Sequence, residues 1–249
     1  MDKKMNIPEQ FIKPFPSYEE VFYDELEQHK KHFLPICSIN LQCVDPEWDE
    51  WLHIVSVKEI HDGCVGENTK EFHTRFTKED TLGFNIIDGK YQFEAGWDYF
   101  EAETDGVLED VYLQNETDYE ARKQFFLRHG KIYPYSSFGR GFESAEALEQ
   151  DFNDKQAAGW GLEYPMVNGI LDDVRFITEE GQVLLEDCES EADAFDYTNL
   201  LYVPKDENGA VFTYIGFATG YYFQACGADR IYLFFNKELK KAVICLEYT

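Results

Sequence analysis

The sequence predicts an α+β fold built largely on antiparallel sheet, and three observations carry that expectation. Segments 197–203, 211–217, 230–235 and 242–248 near the C-terminus are rich in aromatic and β-branched residues and are parted by polar, turn-like stretches. Asp88-Gly89 stands between the runs 82–87 and 90–95, the pattern of a two-residue hairpin whose turn needs positive backbone angles. Along the whole chain about ten strand candidates come in runs separated by about three helices, rather than in strict alternation, which points away from a parallel sheet.

Taken in order, residues 1–16 carry Pro8, Pro14 and Pro16 and read as an extended arm. Ser17-Tyr18-Glu19-Glu20 has the spacing of a capping box, so a helix is expected from Ser17, with Tyr18, Phe22, Leu26 and Phe33 on one face and Pro35 stopping it. Alternation from Ile36 to Val44 predicts a strand, Asp45-Pro46 a turn, and 51–57 a second strand. Residues 61–68 read as a loop, 72–76 as a short strand, and 107–113 as another. Thr117-Asp118-Tyr119-Glu120 is a second capping box, opening a helix that ends at His129-Gly130. A third helix is expected over 144–158, burying Leu148 and Phe152, with Gly159 at its end. Segments 174–177 and 182–185 read as a hairpin. In the C-terminal part, Asn208-Gly209 supplies a reversal. The unbroken apolar runs 231–235 and 243–246 predict strands covered on both faces, hence in the middle of a sheet. A single domain over 1–249 is the expectation; the alternative is two similar strand-rich halves, with the seam at 131–141 where Pro134, Gly139 and Gly141 fall.

Composition bounds the function. The chain has 249 residues, 44% apolar and 16% aromatic, enough to fill a core. Its 49 Asp plus Glu against 22 Lys plus Arg give a net charge of −27, which repels nucleic acid and anionic lipid and favours a basic protein as partner. The densest basic group is Lys237, Lys240 and Lys241. No apolar run follows the N-terminal lysines and none approaches a membrane span, so no signal peptide and no membrane partner are expected. Six cysteines, at 37, 43, 64, 188, 226 and 245, are sparse for this length and read as reduced thiols in a cytoplasmic protein.

Phe33-Leu34-Pro35-Ile36-Cys37-Ser38-Ile39-Asn40-Leu41, followed by Trp51-Leu52-His53-Ile54-Val55, resembles the early strand of the YwqG-like family of bacterial proteins of unknown function. Gly227-Ala228-Asp229-Arg230-Ile231-Tyr232-Leu233-Phe234-Phe235 is similar to that family's late strand, with Cys226-Gly227-Ala228-Asp229 where the family has Gly-Asp-Ala-Gly. The resemblance implies an α+β fold and names no activity.

Four constellations could carry chemistry. Tyr221-Tyr222-Phe223-Gln224-Ala225-Cys226-Gly227 contains a Gln-Ala-Cys core like that of a cysteine-protease nucleophile strand, making Cys226 the catalytic candidate; the nearest upstream histidine, His129, is almost a hundred residues away, and a small buried thiol is the ordinary reading. His29, His32, His53, His61 and His73 cluster in the first third with Cys37, Cys43 and Cys64. Glu25, His29 and His32 share a helical face, and His61 with Cys64 could add soft ligands, although no zinc spacing is present and surface or capping histidines are the simpler reading. Glu186, Asp187, Glu189, Glu191, Asp193 and Asp196 crowd one stretch with Phe195 and Tyr197 beside them, the composition of an acidic docking edge or of a solvated loop. Phe138-Gly139-Arg140-Gly141-Phe142 has glycines but no phosphate-loop ending.

These features predict a non-enzymatic binding protein that holds a basic partner, an immunity protein against a toxin being one version. No cofactor is expected. The alternative is an enzyme whose site is hidden in the sequence, using Cys226 or paired carboxylates.

Overall fold

The structure is a computed structural model, which describes residues 9–43, 45–60, 65–104, 108–135, 141–160, 200 and 202–248. It is an α+β fold with two antiparallel sheets. The first has the order β1-β2-β3 and comprises β1 (Ile12–Pro14), β2 (Phe33–Asn40) and β3 (Trp51–Val57). The second comprises β4 (Thr81–Ile87), β5 (Lys90–Phe93), β6 (Thr213–Ala218), β7 (Arg230–Asn236) and β8 (Lys241–Glu247), in the order β5-β4-β8-β7-β6. β8 and β7 are interior strands of that sheet and almost wholly buried, which accounts for their lack of polar alternation. The two strand-rich halves interlock: β4, from the N-terminal half, pairs with β8 from the C-terminal half through Thr81↔Cys245 to Asn85↔Lys241.

The Asp88-Gly89 hairpin forms as its residues demand, with φ of 52° and 76° at the two turn positions. Pro35, expected only to end a helix, sits inside β2. There the β2–β3 register slips between Pro35 and Cys37, so the missing N–H of the proline falls at a bulge. The main core is drawn from both sheets, with Phe33, Ile54, Phe84, Leu233 and Ile244 among its fully buried members.

Three helical expectations need correction. The capping box at Ser17 is present, but the helix is broken into α1 (Tyr18–Val21) and α2 (Leu26–His32). Between them the chain is caught by β5, where Phe22 bridges Tyr91 and the Tyr23 N–H donates to the Tyr91 carbonyl at 3.0 Å. The strand expected over 107–113 is instead the start of a long helix, α4 (Glu109–His129), preceded by the short α3 (Glu101–Thr104). The box at Thr117 therefore lies inside α4, because Asp118 turns inward to a buried arginine instead of capping a helix start. Gly130 closes α4 at φ 62°. The third helix, α5 (Ala145–Ala157), matches expectation, with the Ser144 side chain accepting the Ala147 N–H.

Residues 72–76 form no strand; a 3₁₀ turn ends at Phe72. α4, α5 and the segments around Tyr133 and Phe142 enclose a second, smaller core of Ala121, Phe125, Tyr133, Tyr135, Phe142 and Leu148, with Phe152 packed against it. The hairpin expected over 174–185 and most of the strand expected over 197–203 lie outside the described residues; Tyr202 and Val203 are not in a strand.

Candidate functional site

Among the described residues, ionisable groups gather most densely on and around α4, whose two faces differ sharply. On the outer face, Leu113 and Leu127 are 64% and 63% exposed, two heptads apart and hence on one stripe of the helix. Glu116 and Glu120 lie between them, and Glu109 and Asp110 are exposed in the first turn. Lys58 reaches Glu116 at 3.2 Å, and Gln124 donates to Glu120 at 2.6 Å.

The inner face is also polar, and Asn115, Asp118 and Arg122 on it are tied into the fold. Asn115 donates its amide to the Lys58 and Ile60 carbonyls at 2.8 and 3.1 Å, fastening the helix to the chain just beyond β3. One turn on, Asp118 and Arg122 form a buried ion pair at 2.8 Å, with side chains 1% and 0% exposed. The second oxygen of Asp118 accepts the Phe142 N–H at 2.7 Å, and the guanidinium lies 5.7 Å from the ring centroids of both Tyr133 and Phe142.

Near the start of α4, Tyr112 links into a row of four side chains. Its hydroxyl lies 2.9 Å from Glu59 Oε2 and 2.9 Å from His32 Nδ1, while His32 Nε2 is 2.7 Å from Glu103 Oε1. Glu59 also accepts the Glu101 and Ala102 N–H groups at the start of α3, and Lys31 lies 2.7 Å from Glu103. The His32 ring stacks on Phe100 with centroids 4.1 Å apart and lies 5.7 Å from the nearly parallel Trp97 ring. Burial pushes the His32 imidazole down to about 4 and the Glu59 carboxyl above its ordinary range.

Of the histidines read from sequence as surface or capping groups, or as metal candidates, His29, His32 and His53 are core residues, while His73 is half-buried. His29 and His32 are fully buried. His29 Nδ1 faces the Glu25 carbonyl and Nε2 accepts the Phe93 N–H, so both nitrogens of each ring are already engaged within the protein. His61 and Cys64 lie outside the described residues, and among those described no three His, Cys, Asp or Glu side chains gather to hold a metal.

His53, paired across the sheet with Ser38, takes the Ser38 hydroxyl on Nδ1 at 2.8 Å and presents Nε2 to the Gly89 carbonyl at 3.2 Å; burial pushes it down to about 4. The Gln-Ala-Cys segment is a turn rather than a strand end. Gln224 is buried and donates to the Val57 carbonyl at 3.1 Å, and Cys226 is half-buried. The thiols of Cys37 and Cys245, inside β2 and β8, are pushed up to about 12 by burial.

Sequence reading missed Tyr112, Glu59 and Glu103, which come from separate segments and share no spacing. The Asp118–Arg122 pair was visible as an i, i+4 spacing but was masked by the capping-box pattern around it. The acidic stretch containing Glu186, Asp187, Glu189, Glu191, Asp193 and Asp196 lies outside the described residues. No helix among the described residues is long and apolar enough to cross a membrane. Comparison with protein-family models, with curated proteins and with solved structures finds no match to this chain.

Proposed function

We propose that the protein is a non-enzymatic cytoplasmic binding module that captures a basic protein, in the manner of an immunity protein that neutralises a toxin. The observation that carries this reading is the outer face of α4, where Glu109, Asp110, Glu116 and Glu120 surround two largely exposed leucines on a molecule of net charge −27. Carboxylates of this kind speed encounter with a cationic surface, and exposed leucines give the encounter an apolar anchor. The stretch from Glu186 to Asp196 adds six carboxylates to the acidic excess of the chain. The buried histidines support the reading, since their ring nitrogens are spent on holding the fold. Kinship with the YwqG-like proteins is part of the proposal, as the two resembling stretches form β2 and β7.

The test is retention of host proteins on the immobilised chain at low salt. The expected result is a basic protein that is eluted by raised salt and is not retained by a Leu113→Ala/Glu120→Lys variant. Retention of no basic protein, or equal retention by that variant, contradicts the proposal.

A further inference from the structure

The row Glu103, His32, Tyr112, Glu59 makes three consecutive contacts of 2.7, 2.9 and 2.9 Å, and each needs one proton between its two heavy atoms. Three arrangements without tyrosinate or imidazolate satisfy all three. With both carboxylates ionised, the imidazole must be doubly protonated: Nε2–H donates to Glu103, Nδ1–H donates to the Tyr112 oxygen, and the Tyr112 hydroxyl donates to Glu59. In the second, the Nδ1 proton passes to Tyr112 and the Tyr112 proton passes to Glu59, leaving a neutral imidazole whose Nδ1 accepts from Tyr112. In the third, the Nε2 proton passes to Glu103, leaving a neutral imidazole that donates Nδ1–H to Tyr112. Each holds three protons and a net charge of −1. In an unfolded chain above about pH 7 the same four side chains hold two, one on the imidazole and one on the phenol.

We propose that these four side chains are a proton latch: folding takes up one proton into the row, and its loss releases α3 and the start of α4 from the end of β3. With two protons left, one of the three contacts sets lone pair against lone pair at under 3 Å, which is repulsive beside the buried His32 and Glu59. The elements that would part are those the row joins: α2 through His32, α3 through Glu103, the residues beyond β3 through Glu59, and α4 through Tyr112.

The charged groups around the row come from the same elements. Lys31 on α2 pairs with Glu103; Glu101 begins α3; Lys58 precedes Glu59 and pairs with Glu116 on α4. Burial disfavours the charged forms of both His32 and Glu59.

The experiment is the unfolding constant of the whole chain, from urea denaturation at steps between pH 7 and pH 9, for the wild type and Tyr112→Phe. An extra proton bound by the folded state makes the wild-type constant rise by up to tenfold per pH unit beyond the slope of Tyr112→Phe, in which no hydroxyl joins His32 to Glu59. Equal slopes overturn the proposal. Should the variant fail to fold, nuclear magnetic resonance of the wild type at pH 7.5 decides the matter. The expected result is a doubly protonated His32 ring or one protonated carboxyl among Glu59 and Glu103; a neutral ring beside two ionised carboxylates overturns the latch.

Discussion

The two faces of α4 carry similar residue types and do opposite things. Inside, Asn115, Asp118 and Arg122 are buried and each is bonded to a specific partner. Outside, Glu116 and Glu120 stand in solvent between two exposed leucines. The inner polar groups hold position because leaving any of them unpaired in a low-dielectric interior costs far more than an exposed ion pair contributes. Of the outer groups, Glu120 and the two leucines contribute little to stability and are free to serve recognition, while Glu116 also pairs the buried Lys58. The helix shows that polarity alone does not separate a structural face from a binding face; burial with a named partner does.

The sharpest way to break this contrast is to remove one half of the inner ion pair. Asp118→Ala leaves Arg122 charged in the interior and deprives the Phe142 N–H of its acceptor, so a loss of about 3–5 kcal/mol is expected in urea unfolding. Packing on the same face gives a comparable effect: Phe125→Ala empties the middle of the second core and should cost about 3–5 kcal/mol by the same measurement.

A buried group away from α4 extends the contrast to pH. His53 stays neutral in the folded protein down to about 4, whereas its unfolded value is 6.5. Between those values the unfolded chain binds a proton that the folded one does not. Stability is therefore intact above pH 6.5 and falls as the pH drops towards 4, by up to about 3 kcal/mol from this residue. Urea midpoints over that range should show the fall, and His53→Gln should flatten it. The smallest effect belongs to the outer face: Leu113→Ala and Leu127→Ala should each change stability by under about 0.5 kcal/mol.

Much of the fold was legible because its signals are local. Asp88-Gly89 dictates a hairpin through the backbone angles of two residues, and Ser144 with Gly159 brackets α5 at both ends. The N-terminal part of α4 was not legible, because a helix polar on both faces has no apolar stripe, and the few apolar residues of 107–113 mimic strand alternation. The break between α1 and α2 was hidden for another reason: it depends on Tyr91, a residue almost seventy positions away, pulling Phe22 and Tyr23 out of the helix. The histidines were found as a cluster in the sequence, but their burial follows from the packing of Phe22, Trp97 and Phe100 against them. The row from Glu103 to Glu59 joins four distant segments, and no spacing rule reaches it.

The account rests on α4 dividing its labour between an inner face that holds the fold and an outer face that meets a basic partner. The most direct measurement follows one retained basic protein, identified by mass spectrometry, and determines its affinity and the urea midpoint for Asp118→Asn and for Leu113→Ala/Glu120→Lys side by side. The account predicts that the first variant loses stability yet, where folded, keeps its affinity, while the second keeps its midpoint and loses affinity at least tenfold. An outer-face variant that binds as tightly as the wild type, or that destabilises the chain as much as the inner one, would contradict it.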